Sequence, residues 1–361
     1  MSLYSIDVRW MVGSFRGMGR YAWQLIEPIK HKTVALAPKG TQKVSLKINY
    51  AGSAFFPYWE QFIQPSLAKK TQVSYLICPY NTGPLWVPKG IKTVLVVHDL
   101  IFMKSFKELP LSVSLYQVLG RLYRRFVVPR LIKKADYIIT VSHYTKSEIL
   151  KHYSPKAEIA VIPNAISSDW LNYITQPLSQ RSNYFITVAG EAPSKNLHRL
   201  LEAYANYVKQ VQYPTPLKIV GVKSSYHEQF HSLANKLDIG SYIEWIGYIS
   251  NEQLISLYSN AKGFIFASLF EGFGIPLIEA MAVGTPIACS NTTSLPEVVG
   301  ACAYQFSPFS LEEITSGFLH LDQDETVLRD NVLIALDRVK RYSEEEVNKQ
   351  FVFFWNNIDA K

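Results

Sequence analysis

At 361 residues, with 48% hydrophobic and 18% charged side chains and a mean hydropathy close to zero, the sequence has the balance of a globular enzyme and excludes a disordered or fibrous chain. The cysteines Cys78, Cys289 and Cys302 show no CxxC spacing, which argues against a disulfide framework or a structural zinc site and for a reducing compartment. A formal net charge of +8 favours polyanionic partners such as phosphorylated small molecules, nucleic acid or an anionic bilayer. A generally basic, solvated surface accounts for the charge equally well.

The length predicts two hydrophobic cores, since one core rarely organises more than about 250–300 residues. The opening YSIDVRW carries Asp7 and Arg9 inside its apolar run, so it reads as a strand and not as the apolar region of a secretory signal. The runs TVALAP, VSYLICP, TVLVVHD, YIITVS and AVIP follow, separated by helical stretches. This alternation predicts βαβ units on a parallel sheet. No run of about eighteen uncharged apolar residues predicts a transmembrane helix.

Residues 114–134, SLYQVLGRLYRRFVVPRLIKK, interleave Arg121, Arg124, Arg125, Arg130, Lys133 and Lys134 with apolar residues at near-helical spacing. Such a helix suits the surface of an anionic membrane, where it would present a lipid-linked acceptor, or it is a core helix with a solvated basic face. The polar, proline-containing stretch 166–182 reads as a linker. From Asn183 the pattern restarts with YFITVAG, LKIVGV, YIEWIG, GFIFAS and TPIACS, and 342–358 reads as one amphipathic helix. The expected organisation is an α/β chain with one Rossmann-like domain over 1–168, a second over 169–341, and a C-terminal helix over 342–361 packing back across the domains.

The most informative segment is FIFASLFEGFGIPLIEAMAVGTPIA, residues 264–288. A buried strand leads into a glycine-containing loop and a helix that begins near Pro276 and ends at Gly284, matching the usual proline-first, glycine-last asymmetry. Gly272 and Gly274 allow close backbone approach to a ligand, and a helix start favours phosphate. Glu279 lies in the helix near the carboxyl end of a parallel strand. It can accept hydrogen bonds from the vicinal hydroxyls of a ribose, or be an ordinary exposed glutamate.

EGFGIPLIEAMAVGTPI is similar to the signature of glycosyltransferase family 4, in which two glutamates flank seven residues. The resemblance extends through IDVRWMVGSFRGMGRYAWQLI, VVHDL, ITVSHYTKSEI, VIPNAI, VAGEAPSKNLHRLLEAY, WIGYISNEQLISLYSNA and SLPEVVG, nearly the whole chain. It implies a GT-B architecture of two facing Rossmann-like domains with the active site in the cleft between them. It further implies that Glu279 holds the donor ribose, that Glu271 and the backbone of Gly272, Phe273, Gly274 and Ile275 contact the transferred sugar, and that Lys195, followed by Asn196, binds the pyrophosphate. Gly17 and Gly19, in the loop after the first strand, approach the donor phosphates, and His98 of the HD motif reaches the donor sugar.

The chain departs from the family at VAGEAPSK, where many members carry an arginine before the lysine. The second phosphate contact then comes from elsewhere, with Arg16 and Arg20 as the candidates, or is missing. Ala267 and Ala165 replace a common proline and glycine without touching a reacting group. GMGRYA at 17–22 formally fits a dinucleotide pattern, but its glycines come late and the second strand ends without an acidic residue. No nucleic-acid module is present.

The resulting expectation is a cytoplasmic, retaining hexosyl- or deoxyhexosyltransferase, peripheral at the inner face of the membrane, acting in surface polysaccharide synthesis. A nucleotide diphosphate sugar, with GDP-mannose leading, serves as donor, and a saccharide or lipid-linked saccharide as acceptor. No metal and no cofactor are expected. The alternative is a catalytically inactive binding protein on the same scaffold.

Overall fold

The computed structural model describes residues 3–13, 17–110 and 115–360. Contacts divide the chain into two compact units, one of Met1–Lys104, Val113–Ala165 and Glu344–Lys361, the other of Ser105–Ser112 and Ile166–Ser343. The division falls at Ala165/Ile166, and the C-terminal helix Glu344–Asp359 belongs to the first unit.

The first unit is built on a seven-stranded parallel sheet. Its strands are β1 (Tyr4–Asp7), β2 (Thr33–Ala37), β3 (Ile48–Tyr50), β4 (Tyr75–Cys78), β5 (Lys92–Val97), β6 (Tyr137–Thr140) and β7 (Ile159–Val161), in the order β3-β2-β1-β4-β5-β6-β7. Continuous apolar runs such as VLVV are what a sheet covered on both faces requires. The core under one face gathers Leu36, Trp59, Leu76, Val97, Val128, Ile132 and Ile149. The C-terminal helix buries Val347, Phe351, Trp355 and Ile358, a stripe at helical spacing. Trp355 Nε1 donates to Leu25 O at 2.7 Å and Phe351 meets Tyr21 edge to face, so the last segment seals this unit's own core.

The second unit has six parallel strands, β8 (Ser182–Val188), β9 (Leu217–Val220), β10 (Ile243–Ile246), β11 (Ala261–Phe266), β12 (Ile287–Ser290) and β13 (Ala303–Phe306), in the order β10-β9-β8-β11-β12-β13. One of its core clusters gathers Phe185, Tyr204, Tyr207, Ile219, Ile265, Phe306 and Phe318.

Strands β3 and β13 lack an apolar run to announce them, because each is an edge, with partly exposed INY and AYQ segments. The 166–182 stretch contains more than a linker: a short helix, Ser168–Leu171, buries Trp170 fully against Tyr258.

Candidate active site

The strand order of the second unit reverses direction between β8 and β11, where open parallel sheets place their ligands, outside the carboxyl ends of the strands. The loops after these two strands carry the candidate residues Lys195, Asn196 and Glu271. Leu269 N–H donates to Ser194 O at 2.8 Å, tying the loops together. Lys195 ends a 3₁₀ turn, Pro193–Lys195, and its Nζ lies 2.7 Å from Glu271 Oε1 and 5.4 Å from the centre of the Phe266 ring. Asn196 makes this possible: at φ 57° it turns the chain into the helix Leu197–Gln210. Its side chain is engaged within the protein, Nδ2 donating to Pro308 O at 2.8 Å and Oδ1 accepting from Arg199 at 3.1 Å. What Asn196 supplies is therefore the placement of Lys195.

The loop from Glu271 to Gly274 leads into the helix Ile275–Ala282, with Gly274 as its N-cap at φ 111°. A Cβ at Gly274 would lie 2.8 Å from Leu295 Cδ2, so the position excludes larger residues on both backbone and packing grounds. The helix starts one residue earlier than Pro276 announces, with Ile275 half-buried at the opening. It ends in a Schellman arrangement: Gly284 is left-handed, its N–H donates to Met281 O, and Thr285 N–H donates to Ala280 O. Glu279 is buried in this helix, beside the fully buried Tyr258, whose hydroxyl pKa is raised by burial and then by the Glu279 charge.

Sequence reasoning missed what holds Glu271 and Phe273. Ser294 Oγ donates to Glu271 O at 3.0 Å and Phe273 O at 2.9 Å, and Thr293 Oγ1 accepts Glu271 N–H at 3.2 Å. The SLPEVVG resemblance named the neighbourhood without this role. Thr293 has φ 58°, a costly conformation for a β-branched residue, which this clamp sustains. The Phe273 ring is buried edge to face against Tyr342 and so is engaged within the protein, next to half-buried Gly272.

In the first unit, His98 follows β5 and is buried. Nε2 lies 2.8 Å from Pro79 O, and since a carbonyl only accepts, the ring proton sits on Nε2. Burial pushes the imidazole down to about 4, against the opposing pull of the Pro79 hydrogen bond. The ring is thus neutral near pH 7, with Nδ1 as its acceptor. Gly17 caps the helix Met18–Ile26 at φ 54°, with open space where a Cβ would project. Gly19 corrects the expectation of a loop glycine: it lies buried inside the first turn of that helix, because the helix already starts at Met18.

Arg16 lies outside the described residues, and Arg20 is half-buried in the Met18–Ile26 helix. At the position where the arginine is missing, Glu191 pairs with Lys223 at 2.7 Å, bringing a second cation to the loops after β8 and β9. Among the described residues no cluster of His, Cys, Asp and Glu has a metal-holding arrangement. The predicted 114–134 helix spans Leu115–Lys134, and Ser114 lies outside the described residues. Its basic face is not uniformly outward: Arg121 is buried, donating to Phe102 O at 3.2 Å and Lys104 O at 2.6 Å, and Arg125 reaches Lys104 O at 3.2 Å. These arginines satisfy carbonyls of the 102–104 turn. The exposed stripe is Leu119, Leu122, Phe126, Arg130, Lys133 and Lys134. No helix of the described residues is long and apolar enough to cross a membrane.

The sequence model described as Glycosyltransferase Family 4 matches residues 48–170, and that described as Glycosyl transferases group 1 matches 173–326. The chain is 30% identical over 230 residues to O-antigen chain mannosyltransferase B of Escherichia coli, covering 61% of this chain and 60% of that protein. To O-antigen chain mannosyltransferase RfbU of Salmonella typhimurium it is 28% identical, covering 65% and 63%. The alignments therefore span less than two thirds of these relatives. A sucrose-phosphate synthase from Thermosynechococcus elongatus has the same fold, with a TM-score of 0.78 over 100% of both chains at 16% identity. Two successive family models, a signature with Lys195, Glu271 and Glu279 at the switch point, and two Rossmann-like parallel sheets agree: this chain belongs to the family 4 glycosyltransferases, of GT-B fold class.

Proposed function

We propose that the protein transfers a hexosyl or deoxyhexosyl unit, with retention, from a nucleotide diphosphate sugar to a saccharide or lipid-linked saccharide in surface polysaccharide synthesis. GDP-mannose is the leading donor, by analogy with the mannosyltransferases to which the chain is similar. The observation that carries the reading is the Lys195–Glu271 pair at 2.7 Å, set at the β8/β11 switch point beside a glycine-capped helix that buries Glu279.

In the proposed reaction the bond from the sugar's anomeric carbon to the diphosphate oxygen breaks and a bond to an acceptor hydroxyl oxygen forms. The acceptor proton is lost and the departing diphosphate gains negative charge. Lys195, fixed by Glu271, meets that charge without reorganising, which is where a preorganised cation lowers a barrier most. Glu279 is proposed to hold the ribose hydroxyls, and Glu271 with the Gly272–Ile275 backbone the transferred sugar. Gly17, with its open surface, is proposed to admit the phosphates. With fixed cations assigned to this work, no divalent metal is included.

The exposed Leu119, Leu122 and Phe126, followed by Arg130, Lys133 and Lys134, support peripheral contact with an anionic membrane, where a lipid-linked acceptor would be found. The test is a panel of nucleotide sugars incubated with and without EDTA, with released nucleotide and product anomer measured. Turnover of one donor with retained configuration and no loss in EDTA is expected. Hydrolysis or transfer of none of them, or inversion at the anomeric carbon, sinks the proposal.

A further inference from the structure

The loop after β4 performs an unusual substitution. The β4–β5 ladder runs to the rung Cys78 opposite Leu95 and then stops as the chain leaves β4 through Pro79. Asn81 resumes it by other means. Its backbone N–H donates to Val96 O at 3.1 Å, as the next parallel rung would, but its backbone has turned left-handed at φ 66°. The acceptor for His98 N–H is instead the Asn81 side-chain oxygen, at 2.6 Å. In a parallel ladder one residue bonds the carbonyl before and the amide after its partner. Asn81 does both toward Val97, with an amide side chain standing in for its own carbonyl. A left-handed backbone and a carboxamide of this reach suit asparagine in particular.

The same loop fixes the ring. Pro79 O accepts the hydrogen bond from His98 Nε2–H, while Tyr21 packs edge to face at 5.1 Å between ring centres. The loop is itself anchored: Tyr80 Oη donates to Asp7 O at 3.0 Å, and Thr82 Oγ1 donates to Glu60 Oε2 at 2.7 Å. Asn81, Thr82, Glu60 and His98 are all buried, so these bonds compete little with water.

We propose that Asn81 is a positioning residue for His98, whose main chain and ring the 79–82 loop holds so that the unprotonated Nδ1 is presented to a hydroxyl of the transferred sugar. This rests on the reading of His98 as a donor-sugar contact. Without the Asn81 oxygen, a buried His98 N–H is left unpaired and the end of β5 is free to shift, and a displacement near 1 Å at a reacting group can cost about 10²-fold in rate.

The test compares Asn81→Gly, which keeps the left-handed backbone and removes only the acceptor, with Asn81→Asp, which keeps an acceptor oxygen, and with His98→Ala. Donor kcat and KM are measured with the nucleotide sugar identified by the panel, and ¹⁵N NMR of the histidine-labelled protein reads the His98 tautomer. The wild type and the Asp variant are expected to hold a single neutral Nε2–H tautomer. The Gly variant is expected to lose it and to drop in kcat on the order of 10- to 100-fold with a smaller change in KM. A Gly variant that keeps both the tautomer and wild-type kcat overturns the proposal. So does a wild-type ring protonated on Nδ1. Should the Gly variant not fold, the Asp variant decides, retention of tautomer and turnover supporting the proposal and loss of both overturning it. Wild-type turnover in His98→Ala removes the sugar-contact reading, while the NMR still decides whether Asn81 orients the ring.

Discussion

Lys195 Nζ and Glu271 Oε1, 76 residues apart in sequence, meet at 2.7 Å because β8 and β11 are neighbours at the point where the second sheet changes direction. If this lysine stabilises charge developing on the leaving diphosphate, Lys195→Ala lowers turnover at saturating donor by about 10²- to 10³-fold. Arginine restores only part of it, since a planar fork places its charge differently from an ammonium. Steady-state kinetics with donor varied past saturation decide the matter: wild-type kcat with only a raised KM assigns Lys195 to docking alone.

Glu279→Ala is expected to weaken binding of the donor or the free nucleoside diphosphate by about 1–3 kcal/mol, the scale of hydrogen-bonding groups left unpaired at a site. Calorimetry on the folded variant checks this. Unchanged affinity takes Glu279 out of the ribose role.

Two glycines proposed at the donor site separate packing from backbone strain. Gly274→Ala places a Cβ 2.8 Å from Leu295 Cδ2 and 3.2 Å from Leu277 Cδ1 at φ 111°. A loss of about 2–4 kcal/mol is expected, from backbone strain together with overpacking. Gly17→Ala meets nothing within 4 Å, so its expected loss of about 1–3 kcal/mol is backbone strain alone, at φ 54° and ψ −109° outside the left-handed helical well. Denaturant unfolding of both variants measures the difference, and equal losses refute the assignment of a steric cost to Gly274.

Glu60 makes stability depend on pH. It sits in a one-turn π-helix, Trp59–Ile63, where burial raises its carboxyl from 4.5 to about 7 against lowering by Thr82, Tyr123 and Arg9. Between those values the folded chain holds a proton that the unfolded chain has released, so this group's contribution falls as pH rises from about 4.5 to 7. Glu60→Gln is expected to flatten that slope and to be stabilising at pH 8 by up to about 3 kcal/mol. Chemical denaturation across pH 5–8 checks it, and parallel slopes for the two proteins would falsify the assignment.

The Leu115–Lys134 helix is expected to bring the full chain to anionic vesicles at low salt, with binding lost as the Debye length shortens from about 30 Å at 0.01 M to 10 Å at 0.1 M. Leu122→Ser with Phe126→Ser reduces it further. Equal co-sedimentation with neutral and anionic vesicles counts against the membrane surface.

What the sequence by itself determined is whatever depends on local pattern. Apolar runs such as VLVV and FIFA mark the central strands, Pro276 and Gly284 bracket a helix, and the glutamate-bracketed signature identifies the family, because periodicity, backbone permissiveness and motif spacing are properties of contiguous residues. The edge strands β3 and β13 escaped this reading, since a half-exposed strand needs no apolar run. Other features were decided by tertiary structure alone. Arg121 lies in a segment that reads as a basic face, yet it is turned inward by the carbonyls of Phe102 and Lys104, which become its neighbours only when the chain folds. Asn196 is spent on Pro308 and Arg199, and Ser294 clamps a loop more than twenty residues before it. The Asn81 oxygen completes a ladder that ends three residues earlier. A buried hydrogen-bonding group takes whichever partner the fold delivers, at a distance along the chain that no local spacing encodes, so the lining of this site was readable by type but its supports only by geometry.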